Sequence, residues 1–253
     1  MLSVKTFIIV CPLVFLAGFI DAIAGGGGLI SLPAYLLAGL PAHNAIATNK
    51  MSSTLGTTVT FCRYAKNGYV RWKLAALCAV LSIIGSAIGA NLALSLSDHA
   101  FKIIMLCATP LCAFYILKSK SLDNSASTAE GDERRTYILS AIIALVMGTY
   151  DGFYGPGTGT FLLLFLTAVV KLKLTDANGI AKAVNLASNI SAFTVYLTNG
   201  KIIIPLGLAA GVCSFTGNYL GSAMFTSKGV KIAKPVLVCV LVIFMVKLAA
   251  EIF

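Results

Sequence analysis

Two aspartates stand inside apolar sequence, each four residues ahead of a glycine. The stretches are GFIDAIAGGGGLISLP, residues 18–33, and GTYDGFYGPGTGTFLL, residues 148–163. They share a G-x-x-D-x-x-x-G core at an offset of 130. A carboxylate in such surroundings must meet a cation or accept a proton, because burial penalises the bare charge. Asp21 and Asp151 therefore read as salt-bridge anchors or proton-coupling groups. Two lysines are the matching cations: Lys50, next to Asn49, and Lys182, followed by Asn185 and Asn189. A lysine about 9 Å along a helix can simply snorkel to an interface. The repeated lysine, set beside asparagines, points instead to a substrate or proton path. Tyr150 and Tyr154 flank Asp151 with further hydroxyls.

The glycines are the second chemical element. Gly25, Gly26, Gly27 and Gly28 make a poor helix interior. Gly155, Gly157, Thr158 and Gly159 surround Pro156, which lacks an amide donor. Both stretches predict a helix that breaks and restarts near Gly28 or Thr158, with the restarted N-terminus offering amides and a positive dipole end to an anion. Unwound backbone at membrane depth needs protein or a water-filled cavity around it. Neither stretch has the G-x-x-x-x-G-K-[ST] form of a phosphate loop. A purely helix-packing role for the glycines is the rival reading. On the binding reading these glycines, Thr158, Lys50, Lys182 and the three asparagines contact substrate.

The elements that must position these residues are membrane helices. Of the 253 residues, 58% are hydrophobic and 11% charged, against about 25% charged in a soluble domain. Charge-free runs such as 74–97, 152–170 and 202–227 approach or exceed the roughly 20 residues that cross a bilayer. So many apolar helices cannot share one aqueous core, and an all-α polytopic membrane protein follows. Ten segments are expected, near 6–22, 28–40, 45–65, 73–95 and 100–118, then 137–151, 157–171, 177–198, 202–224 and 235–252. The first segment resembles a signal peptide, but its glycine motif has a later partner, so it reads as a retained helix.

The chain also repeats itself. At an offset of 132, Lys50 falls on Lys182, Phe61 on Phe193, Tyr64 on Tyr196, Asn67 and Gly68 on Asn199 and Gly200, and Gly85 and Gly89 on Gly217 and Gly221. Two repeats, 1–118 and 137–253, joined by a hydrophilic cytoplasmic linker at 119–136, are therefore expected. The net charge of +10 resides in loops. Arg63, Lys66, Arg71 and Lys73, then Lys118, Lys120, Arg134 and Arg135, then Lys228, Lys231 and Lys234 read as cytoplasmic by the positive-inside rule. With the 198–201 turn outside, the repeats enter the membrane with opposite polarity, a plan found in secondary transporters with broken helices. Charge placed this way implies orientation, not a nucleic-acid partner. The seven cysteines are scattered without CxxC or His-rich spacing and read as packing residues. His43 and His99 read as interfacial, and no metal or cofactor set emerges.

At these residues the chain resembles the sulfite exporter TauE/SafE family. The resemblance rests on GFIDAIAGGGGLISLPAYLLAGLPAHNAIATNK and on the second-half GTYDGFYGPGTGTFLLLF followed by KAVNLASN. It spans nearly the whole chain, and the paired motifs carry it more than either glycine run alone. It implies an all-helical carrier of the inner or plasma membrane, assigned eight or nine spans, and substrates such as sulfite, sulfonates and other organosulfur anions. The two motifs differ, with four glycines in one and Tyr154, Gly155, Pro156, Gly157 and Thr158 in the other, so substrate is expected to contact the halves unequally.

Together these readings give a secondary transporter of a small sulfur-containing anion, with the lipid bilayer as its setting. No ATP-binding motif is present. A coupling proton and a homo-oligomer are left open by the sequence. A passive anion channel and a non-transporting membrane scaffold are the rival functions.

Overall fold

The helix boundaries follow the glycines. In a computed structural model, which describes residues 3–118 and 133–223, α1 (Val4–Ala24) stops where Gly25 turns left-handed at φ 79° and donates its N–H to Asp21 O at 2.9 Å. The chain restarts as α2 (Gly28–Leu37), whose Ile30 and Ser31 amides donate to Gly27 O. In the second motif α6 (Glu133–Phe153) ends before Gly155 and Gly157, which adopt φ 93° and 84°. The restarted α7 (Thr158–Ala168) is secured by the Thr158 hydroxyl donating to Gly155 O at 2.7 Å. Left-handed backbone at these positions favours glycine because a Cβ would strain it.

The remaining helices are α3 (Ala42–Lys66), α4 (Trp72–Ser95), α5 (Asp98–Lys118), α8 (Leu174–Thr198) and α9 (Ile204–Ala223). Together with α1, α2, α6 and α7 they match nine of the ten expected segments to within a few residues. The tenth, 235–252, lies outside the described residues, as do Lys228, Lys231, Lys234, Cys239 and most of the 119–136 linker. By length and apolarity α1, α4 and α6 can each cross a membrane, while α2 and α7 are short apolar helices. The α4 residues Val80, Ile83, Ile84, Ile88 and Leu92 face outward, as do Leu208, Val212 and Phe215 of α9. An apolar outer surface over helices of this length suits lipid rather than water.

Long-range contacts are symmetric. α3 and α8 pack on each other, α4 packs on α6 and α8, and α9 packs on α1 and α3. The α4–α6 and α1–α9 seams use the repeated glycines. A Cβ on Gly85 would stand 2.9 Å from Thr149 N, and one on Gly217 would stand 2.9 Å from Phe19 N. Small residues let membrane helices approach to backbone contact. Equivalent turns end α3 and α8: Asn67 N–H donates to Arg63 O at 3.0 Å, and Asn199 N–H to Val195 O at 3.2 Å. Tyr64 and Tyr196 also match, their hydroxyls donating to Ala22 O and Gly152 O at 2.9 and 3.0 Å. Thus the fourth helix of each sequence half packs on the other half.

Two apolar clusters surround the polar middle. One gathers Val10, Leu32, Tyr35, Ile46, Phe101 and Tyr196; the other gathers Leu74, Met147, Leu162, Ile180 and Val184. Along α3 and α8, the polar residues fall between the stretches that feed these clusters. His43 is a joint of the first cluster. Its ring meets Asp98 and Ala93 O and stacks on Phe101 at a centroid distance of 5.3 Å. His43 thereby ties the start of α3 to α4 and α5, and His99 is exposed.

Candidate functional site

The two helix breaks meet. Thr160 N–H donates to Gly25 O at 3.0 Å, a bond from one break to the other. A Cβ on Gly25 would stand 2.7 Å from Gly159 C, and one on Gly28 would stand 3.1 Å from Pro156 Cα. Glycine at these positions is required for the backbones to touch. Tyr150 donates to Pro156 O at 2.5 Å; its hydroxyl therefore braces the second break instead of reaching Asp151.

The lysines pair across the halves. Lys50 Nζ donates to Asp151 Oδ2 at 2.7 Å and to Asn189 Oδ1 at 3.1 Å. Lys182 Nζ donates to Asp21 Oδ2 at 2.9 Å and to Asp21 O at 2.6 Å. Both side chains of the first pair are 3% exposed; in the second the values are 2% for Lys182 and 13% for Asp21. Neither lysine snorkels to a surface. Gly155 lies against the first pair, where a Cβ would stand 3.1 Å from Lys50 Nζ. The asparagines extend the network: Asn189 Nδ2 donates to Asn185 Oδ1 at 3.2 Å. Ser188 Oγ donates to Asp151 Oδ2 at 2.6 Å.

A cavity of ≈ 40 Å³ opens beside these pairs. One water needs roughly 10–15 Å³ by the same measure, so the space holds about three waters or a small ion. Its wall includes Asp21, Gly25, Gly27, Gly28, Asn49 and Lys50 from the first half. From the second half come Asp151, Gly155, Gly157, Thr158, Gly159, Asn185 and Asn189. Of the residues expected at the site, Gly26 and Lys182 are outside this wall. Buried Asn49 has an Oδ1 with no hydrogen-bond partner among the described residues.

The first-turn amides are less available than the glycine pattern suggests. Leu29, Ile30 and Ser31 donate to Gly26 O or Gly27 O, while Thr158, Thr160 and Phe161 donate to Gly155 O, Gly25 O and Gly157 O. Gly27 N–H donates to Asp21 Oδ1 at 3.3 Å.

Sequence reasoning missed Ser31, Ser53, Thr57, Ser214 and Asn218, which also line the cavity, and Ser188. The repeat offset held the signal for two of them, since adding 132 to Ser53 and Thr57 gives Asn185 and Asn189. The same offset relates Ser82 and Ser86 of α4 to Ser214 and Asn218 of α9. In α4, however, both hydroxyls donate to α8 carbonyls, at 3.0 Å for Val184 O and 2.7 Å for Ser188 O. The cavity therefore reaches α9 but not α4. Among the described residues, no three His, Cys, Asp or Glu side chains gather as a metal set.

An all-α bundle with apolar outer faces and a charged, polar interior defines a polytopic membrane protein. Residues 10–248 match the model of the family described as Sulfite exporter TauE/SafE, and the chain belongs to that family. It is 34% identical to the "Probable membrane transporter protein ORF9" of Sinorhizobium sp, covering 94% of this chain and 90% of that protein. It is 33% identical to the "Probable membrane transporter protein YfcA" of Escherichia coli strain K12, over 92% and 86% of the two chains. A Haemophilus influenzae "Probable membrane transporter protein" is 32% identical, over 88% and 87%. No solved structure matches the chain. The protein is thus a multi-pass transporter of the cell membrane rather than an enzyme.

Proposed function

We propose that the protein is a secondary transporter of a small anion, with sulfite, a sulfonate or another sulfur-containing anion as the substrate class. One observation carries this reading: two buried lysine–aspartate pairs join the opposite halves, and Lys50 with both aspartates lines a polar cavity where the two helix breaks meet. Ionisable groups held at such depth are costly unless they serve a path for ions or protons. The sulfur-containing class comes from the family's description.

In this reading Lys50 supplies the positive field. The glycine breaks, with Thr158, let backbone approach the anion and turn positive helix ends toward it. Asn49, Asn185 and Asn189 orient it. The aspartates balance the lysines, and one of them carries a coupling proton. The halves are inverted repeats, supported by the matching turns and seams. Because α4 and α9 exchange partners, the bodies that rock are α1–α3 with α9 and α6–α8 with α4. Alternating access follows from their movement about the fixed cavity.

The test is uptake by purified protein in proteoliposomes against sulfite, sulfonates, sulfate and thiosulfate. Saturable uptake of at least one is expected. Flux that rises linearly with concentration and shows no exchange would favour a passive channel; no flux of any of them would defeat the anion reading.

A further inference from the structure

The two lysine–aspartate pairs match in sequence but not in surroundings. Asp21 and Lys182 are tied to backbone. Lys182 Nζ donates to the Asp21 carbonyl as well as its carboxylate, and that carbonyl also receives Gly25 N–H. Gly27 N–H donates to Asp21 Oδ1. Lys182 is absent from the cavity wall, whereas Lys50 and Asp151 both belong to it. All of the described hydrogen-bond partners of the Lys50 and Asp151 side chains are themselves side chains: Asn189 for Lys50, Ser188 for Asp151, and each other. Side-chain partners exchange by rotation, while a carbonyl locked in a helix end does not.

Resting on the anion-transport reading above, we propose that the pairs have different tasks: the anion displaces Asp151 from Lys50, Asp151 takes up a proton as it is displaced, and Lys182 with Asp21 remains a clamp on the first break. An ammonium has three N–H donors, and two on Lys50 are engaged. Among the described residues the third is left for a ligand in the cavity, whose wall also carries Asn49. An anion there shares one ammonium with the Asp151 carboxylate, and two negative charges at close range in a buried site are strongly unfavourable. One proton from the aqueous side removes the carboxylate's charge, so a monovalent anion leaves the net charge of the site unchanged.

Ser188 fits both states. Its single hydroxyl hydrogen can reach Asp151 Oδ2 at 2.6 Å or Asn185 O at 3.0 Å. With Asp151 ionised, Ser188 donates to the carboxylate. With Asp151 protonated, Ser188 accepts from it and donates to Asn185 O. The other titratable groups around Asp151 do not supply a competing cation. α8 presents the Tyr196 hydroxyl, engaged with Gly152 O, and α6 itself carries Tyr150 and Tyr154. Cys112 of α5 meets Tyr150, α4 packs there through Ser82, Ser86 and glycines, and α7 has no titratable side chain.

The test is proton uptake during anion binding. Purified protein in weakly buffered detergent, near neutral pH, is titrated with sulfate, thiosulfate and a short alkanesulfonate while a pH dye and equilibrium dialysis report protons and bound anion. About one proton per bound anion is expected in the native protein. Asp151→Asn should bind with no uptake, whereas in an Asp21→Asn/Lys182→Gln double variant, whatever its affinity, each anion that binds should still bring about one proton. A difference infrared spectrum of the native protein, which needs no variant, should gain a protonated-carboxyl band on anion addition. Binding without proton uptake, or uptake that survives Asp151→Asn, would overturn the division of tasks and leave the anion site standing. Failure of every tested anion to bind would overturn the anion reading and this proposal together.

Discussion

At the residue scale, the site is two ion pairs whose members come from distant sequence. Removing one partner of a buried pair strands the other, which costs about 3–5 kcal/mol, whereas neutralising both can be far milder. Lys182→Ala should therefore lower the unfolding temperature of the detergent-solubilised protein markedly, and adding Asp21→Asn should restore much of the loss. Additive losses would mean that the pair contributes no coupling. The aspartates and lysines were legible in the sequence because a charge in apolar surroundings is conspicuous and each one repeats. Their cross-half pairing was not, because an offset relates equivalent positions and says nothing of contacts between non-equivalent ones. Ser188 and Ser214 were illegible for a different reason, and Ser53 and Thr57 were marked by the repeat offset alone: a hydroxyl can satisfy itself on its own helix, as Thr57 does on Ser53 O at 2.7 Å, so its presence in a membrane helix signals little.

At the element scale, glycines decide where helices stop and where they touch. The breaks at Gly25 and Gly155 were readable from composition, and the restarts fall at Gly28 and Thr158 as expected. The exchange of α4 and α9 between halves was not readable, since apolar faces specify burial or lipid and not a particular neighbour. The seam of α9 with α1 depends on Gly217, where any Cβ would press on the Phe19 amide. Gly217→Leu should force that seam apart and destabilise the protein by about 1–3 kcal/mol or more, read as a lower unfolding temperature and reduced membrane abundance. The equivalent Gly85→Leu in α4 should do the same, and unchanged stability in both would mean that these helices can pack without backbone contact.

At the scale of the whole molecule, matching turns and seams relate the halves, and the inverted arrangement proposed above would assign those turns to opposite faces of the membrane. Asn67 and Asn199 are exposed and end α3 and α8 in equivalent ways. In a cysteine-free background, Asn67→Cys should react with an impermeant thiol reagent only from the cytoplasmic side and Asn199→Cys only from the outside. Labelling of both from one side would defeat the inversion. In the proposed cycle, rocking of two interleaved bodies would give each membrane face access to one central cavity, with Lys50 in its wall.

Counterflow tests this account most directly. Proteoliposomes preloaded with the unlabelled anion found in the uptake panel are diluted into the labelled anion, and transient accumulation is followed. The account predicts accelerated, saturable exchange in the native protein and at least a tenfold loss in Lys50→Ala at matched protein density, which corresponds to about 1.4 kcal/mol or more of lost stabilisation. Native-like exchange in Lys50→Ala would contradict it.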